Sequence, residues 1–139
     1  MSFKITFNLL ENKLSEEYSN ALDVLEKFKS ISWEQELEIS SKEVHFPSID
    51  IIHITNQKLL TITALESIPN IMFTVENINV GKLARGTTGT LINHTPYEKV
   101  LNILNLFTQS KYSEIEALDN TGFLSKALRK ITFLFASED

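Results

Sequence analysis

Three segments rich in Ile, Val, Thr and Phe, running from Val44 to Thr55, Lys58 to Ser67 and Ile71 to Ile78, are separated only by Asn56-Gln57 and Ile68-Pro69-Asn70. A parallel crossover needs a dozen or more residues, so strands joined by two or three residues pair antiparallel. The spacing therefore predicts a meander, entered through the turn-like Ser40-Ser41-Lys42 and closed by a short strand from Thr87 to Ile92. The chain begins with a further strand: Phe3, Ile5, Phe7 and Leu9 alternate with Lys4, Thr6 and Asn8, a period of two that leaves one face apolar.

Helical spacing appears between and after these strands. Leu14, Tyr18, Ala21, Leu22, Leu25 and Phe28 fall at intervals of three and four, which predicts a helix to about Ser30, capped by Ser15 and with Glu16 and Glu17 in its first turn. From Trp33 to Ile39 the alternation returns, with Trp33, Gln35, Leu37 and Ile39 on one face and Glu34, Glu36 and Glu38 on the other, and predicts a strand with a carboxylate ladder. Thr95-Pro96-Tyr97-Glu98 reads as a helix start with Thr95 as N-cap, followed by the stripe Tyr97, Val100, Leu101, Leu104 and Phe107. A helical turn is expected over Ser113 to Leu118. A last helix is expected from Thr121 to Ala136, where Ile131, Phe133 and Phe135 also alternate as a strand would. The expectation is a single α+β domain over residues 1–139: an antiparallel sheet of about five to six strands packed against an N-terminal helix and C-terminal helices.

Composition removes several classes of function. With no cysteine in 139 residues, a disulfide framework, a cysteine zinc site, an iron–sulfur cluster and a thiol nucleophile are excluded, and no cofactor is expected. The longest apolar runs, Ile49 to Ile54 and Ile131 to Ala136, are far below the roughly 18–20 residues of a membrane span. Nothing at the N-terminus resembles a secretory leader, so a cytoplasmic location is expected. The formal net charge of −5 argues against nucleic acid as a direct partner. Its distribution is uneven: residues 1–80 carry 6 Lys and Arg against 12 Asp and Glu, residues 81–139 carry 7 against 6.

Candidate sites are few. The segment Gly81 to Thr90 holds Lys82, Arg85, Gly86, Thr87, Thr88 and Gly89, a combination able to hold an anion through backbone N–H groups. It matches neither phosphate fingerprint, and a glycine-rich strand connection explains it as well. Of the three histidines, His45 and His53 lie about 26 Å apart if they share one strand, too far to ligate one ion, and no metal site is expected. A Ser48, Asp50 and His53 set lacks any nucleophile-elbow context. Glu34, Glu36 and Glu38, joined by Glu43 and by Asp50 on the next strand, form the clearest electrostatic feature. That pattern fits a solvated edge strand protected against aggregation, or a docking face for a cationic protein.

These features point to a small, acidic, non-enzymatic protein-binding module. In general profile such a chain resembles the immunity proteins that neutralise bacterial toxins, which implies a cationic protein partner; the Ile-, Asn- and Lys-rich composition is compatible with an AT-rich microbial genome. The order of elements is also similar to that of helix-grip ligand-binding folds, which implies a pocket between sheet and helices lined by Trp33, His53, Arg85 and Tyr97. A third reading is an assembly subunit dimerising through Phe133 and Phe135.

Overall fold

The computed structural model describes residues 3–9, 15–40, 46–66, 71–79 and 89–119. The elements in chain order are β1 (Phe3–Asn8), β2 (Ser15–Ser19), α1 (Ala21–Lys29), α2 (Trp33–Ser40), β3 (Ser48–His53), β4 (Lys58–Glu66), β5 (Met72–Asn79), β6 (Thr90–Pro96), α3 (Tyr97–Thr108) and α4 (Tyr112–Glu116). The fold is α+β, and its six strands form one sheet in the order β2-β1-β3-β4-β5-β6 with every described pairing antiparallel. The expected meander is β3 to β6.

One face of the sheet carries the core. Phe3 and Ile5, Ile49 and Ile51, Leu60 and Ile62, and Phe73 and Val75 alternate inward from four neighbouring strands and are almost completely buried. Against them pack Val24 and Phe28 of α1, Trp33 and Leu37 of α2, and Val100, Ile103, Leu104 and Phe107 of α3. Lys4, Thr6, Asp50, Ile52, Leu59 and Thr61 have the opposite parity and are half-buried.

Three local expectations are corrected. Residues 14–30 do not form one helix: Ser15–Ser19 pairs with β1, and Asn20, not Ser15, caps α1, its side-chain oxygen accepting from the Asp23 N–H at 3.1 Å. The four-residue spacing of Tyr18 and Leu22 mimicked one helix, but pairing with β1 holds Tyr18 in a strand and the helix buries Val24 and Phe28 instead. Residues 33–40 form helix α2, not a strand. Trp33 and Leu37 are four apart, which suits either period; Glu, Gln and Leu are strong helix formers, and Glu36 N–H bonds Ser32 O at 3.1 Å as the turn begins.

The third correction lies at the β6–α3 junction. Thr95 is not a side-chain cap; the N-cap is Pro96, with no side-chain bond. Thr95 still belongs to the sheet, opposite Phe73, and its buried hydroxyl donates to Ile92 O at 3.2 Å. The register slips here, since Phe73 faces Thr95 while Val75 faces Ile92, and His94 takes up the extra residue with φ 50°. The expected helical turn at 113–118 is present as α4. The expected helix over 121–136, with Phe133 and Phe135, lies outside the described residues.

Candidate functional site

The acidic residues do not stand on one strand face. On α2, Glu34 and Glu38 are four residues apart and exposed, whereas Glu36 points to the other side and is only 2% exposed. Helical rotation of about 100° per residue separates alternate residues that a strand would have aligned. Asp50 lies apart from them, half-buried near the middle of the sheet, where Thr61 Oγ1 donates to Oδ1 at 2.8 Å and Asn8 Nδ2 donates to Oδ2 at 3.3 Å. Its two oxygens are engaged within the sheet, so Asp50 organises β1, β3 and β4. Glu43 lies outside the described residues.

Exposed apolar and acidic side chains also occur close together in sequence over residues 18–38. Leu22 is 84% exposed and Tyr18 70%, four residues apart across the β2–α1 corner. Asp23 and Glu26 are exposed on the same helix as Leu22, and Glu34 and Glu38 on the next. Residues 15–40 hold seven carboxylates against two lysines, a difference equal to the net charge of the whole chain. The leucine that helical periodicity placed in the core is the most exposed large apolar side chain described. Position 20 was the available signal, because an asparagine three residues before Asp23 marks a cap that moves the buried stripe by one step.

A second arrangement lies where the β3–β4 turn meets α4. His53 is fully buried, with its ring 4.7 Å from Phe3, and its Nδ1 lies 3.1 Å from the Tyr112 hydroxyl. Asn56 Nδ2 donates to both Tyr112 OH and Ser110 Oγ, each at 3.0 Å. The hydroxyl can donate to His53 Nδ1 or accept from it, according to the imidazole tautomer, while it accepts from Asn56. Nε2 has no hydrogen-bond partner. Lys58 faces His53 across the strand pair and sets its ammonium 5.1 Å over the Tyr112 ring. Burial holds the His53 pKa below its ordinary 6.5. This cluster was not legible as a unit, since its members are 59 residues apart and none belongs to a motif.

The residues proposed to line a pocket do not come together. Trp33 and Tyr97 surround Phe28 and Phe73, with Trp33 edge-on to Phe73 at 5.3 Å and Tyr97 stacked on Phe28 at 5.4 Å. Phe73 pairs with Ala64 and His53 with Lys58, six residues along β4, which separates the two groups by roughly 20 Å. Trp33 Nε1 is buried without a partner. Burial raises the Tyr97 pKa, and the neighbouring Glu98 carboxylate adds to it. His94 is exposed, and His45 and Arg85 lie outside the described residues.

Of the proposed anion loop, Lys82, Arg85, Gly86, Thr87 and Thr88 lie outside the described residues. Gly89 is described and has a packing role: a Cβ there would meet Ile78 Cγ2 at 2.6 Å. Among the described residues no group of three or more His, Asp or Glu is placed to hold a metal ion, and no helix is long and apolar enough to cross a membrane. Compared with protein-family models, curated proteins and solved structures, the chain matches none.

Proposed function

We propose that the protein is a small acidic docking module without catalytic activity, which neutralises or positions a cationic partner protein through the surface of β2, α1 and α2. The observation that carries this reading is Leu22, held 84% exposed on a helix whose Val24 and Phe28 are fully buried. An exposed leucine alone is ordinary. Leu22 follows exposed Tyr18 by four residues, with Asp23 next to it and Glu26 one turn further along α1, and Glu34 and Glu38 are exposed on α2. An apolar anchor within a single-sign field suits an interface in which contact slows dissociation and charge accelerates association. The cationic partner complements the exposed carboxylates Asp23, Glu26, Glu34 and Glu38.

The test uses the tagged full-length chain in its native host, with partners of the parent compared against those of a Tyr18→Ser, Leu22→Ser variant. The partner lost by the variant is then purified, and its association is followed by stopped flow at low and physiological salt. The serine variant should keep the parental Tm and bind at least tenfold more weakly, mainly through faster dissociation. A Glu34→Gln, Glu38→Gln variant should associate more slowly, with a weaker salt dependence. Equal partner recovery and equal rates for all three proteins would overturn the reading.

A further inference from the structure

The described helices cover one face of the sheet: Phe28 of α1, Trp33 of α2, Phe107 of α3 and Ile115 of α4 all join the core on the inward side. The other face is not polar throughout. Ile52, Leu59 and Ile78 are direct cross-strand partners on β3, β4 and β5, so three aliphatic side chains stand in one row, each half-buried. Two residues along the strands, the parallel row is Asp50, Thr61, Glu76 and Leu91. An antiparallel sheet that meets water on its second face turns polar residues toward it, so a contiguous aliphatic row there marks a surface that is covered.

The chain itself arrives at this face. β6 is an edge strand, and the Leu91 N–H is taken not by β5 but by Asp119, whose Oδ2 accepts it at 2.9 Å. Asp119 therefore stands at the open edge of the sheet, bonded to a leucine whose buried neighbours Thr90 and Ile92 face inward and which itself belongs to the outer face. The sequence that follows is two-sided. Leu124, Ala127, Leu128, Ile131, Leu134 and Phe135 keep helical spacing, while Lys126, Arg129 and Lys130 fall on the opposite side of the same helical wheel.

Length agrees with this placement. As a helix, residues 121–136 span about 24 Å at about 1.5 Å per residue. Strands about 4.8 Å apart put β1 about 19 Å from β6, so the segment reaches across the row from the edge at which Asp119 stands. β4 lies two spacings in from β6, about 10 Å or six to seven helical residues, which brings Leu128 over Leu59.

We propose that residues 121–136 dock as an amphipathic helix across the outer face of the sheet, with the Leu124–Phe135 stripe on the Ile52–Leu59–Ile78 row and the three cations turned to solvent. The sheet is then enclosed between two helical layers, and the aliphatic row is closed by the chain's own residues instead of by a second copy.

The chain has no cysteine, so a disulfide from an introduced pair is unambiguous. In the full chain, Leu59→Cys with Leu128→Cys should close an intramolecular disulfide under mild oxidation at least tenfold faster than two control pairs. One is Leu59→Cys with Lys126→Cys, which puts the second thiol on the solvent side of the helix; the other is Glu38→Cys with Leu128→Cys, which moves the first thiol to the exposed side of α2. Non-reducing electrophoresis separates closed monomer from covalent dimer, and peptide mass mapping identifies the bond. A single Leu59→Cys variant gives a second reading that needs no pair to form. Its thiol should react with a maleimide several-fold faster when Leu128→Asp is added and at an unchanged rate when Lys126→Asp is added, while the thiol of the core-facing variant Ile62→Cys stays protected in both backgrounds. Equal closure rates for the three pairs, or Leu59→Cys labelling that Leu128→Asp leaves unchanged, overturns the proposal. Covalent dimers in place of closed monomers in dilute solution overturn it too, and assign the row to a second copy of the chain.

Discussion

Ser110 occupies the left-handed position at the end of α3 and at the same time accepts a hydrogen bond from Asn56, 54 residues earlier, at 3.0 Å. The helix ends in a Schellman motif, with Lys111 N–H bonded to Leu106 O at 2.9 Å and Ser110 N–H to Phe107 O at 3.1 Å. Glycine is the usual residue there. Serine is retained where its hydroxyl links the end of the helix to the β3–β4 turn.

Substitutions at this position separate the two effects. Ser110→Ala keeps the left-handed strain and loses the acceptor, and should destabilise by about 1 kcal/mol. Ser110→Gly loses the same bond but relieves about 1 kcal/mol of backbone strain, so it should be close to neutral. Urea denaturation of the two variants should place Ser110→Gly above Ser110→Ala; the reverse order would mean that the conformation at φ 60° carries no strain.

The core of α1 is Val24 and Phe28, and Leu22 is outside it. Phe28 is fully buried against Trp33, Phe73 and Tyr97, so Phe28→Ala should cost about 3–5 kcal/mol. Leu22→Ala should change stability by less than about 0.5 kcal/mol. Thermal melting followed by circular dichroism distinguishes the two. A Leu22→Ala loss as large as that of Phe28→Ala would mean that this leucine is covered in solution.

The legible part of the fold was the part set by local pattern. Phe3 to Leu9 alternates and forms β1, and the short connections at 56–57 and 68–70 determined the antiparallel order β3-β4-β5. The illegible part was where two periods coincide. Trp33 and Leu37 occupy positions common to a strand and a helix, so the carboxylates between them looked aligned, and only the packing of α2 shows that Glu36 turns inward. Ser15–Ser19 has helical spacing toward Leu22, and pairing with Phe3–Phe7 overrides it. The Asn56, His53, Ser110 and Tyr112 cluster depends on contacts between residues more than 50 positions apart, to which periodicity is blind.

His53 also makes global stability depend on pH, with a definite sign. Its folded-state pKa is lowered by burial from 6.5. Above pH 6.5 the imidazole is neutral in both folded and unfolded chains, and its contribution is constant. As the pH falls below 6.5 the unfolded chain binds the proton while the folded one resists it, so stability falls, by up to about 1.4 kcal/mol per pH unit, until the lowered folded-state value is reached. Denaturation at pH 8, 7, 6 and 5 should show this component in the parent and not in His53→Gln, so that the difference between the two curves isolates it. Parallel curves for the two proteins over this range would contradict it.

Glu34, Glu36 and Glu38 should separate by environment despite their identical chemistry. Glu34 and Glu38 are exposed on α2, so Glu34→Gln and Glu38→Gln should each leave stability within about 0.5 kcal/mol of the parent. Glu36 is buried at 2% exposure on the face that carries Trp33 and Leu37. Glu36→Ala opens space beside α2, which should cost about 1–3 kcal/mol. Chemical denaturation of the three single variants gives the ordering. If Glu36→Ala unfolds at the same denaturant concentration as the two Gln variants, residue 36 is as accessible as its neighbours, and the inward turn of α2 that separates the three carboxylates is wrong.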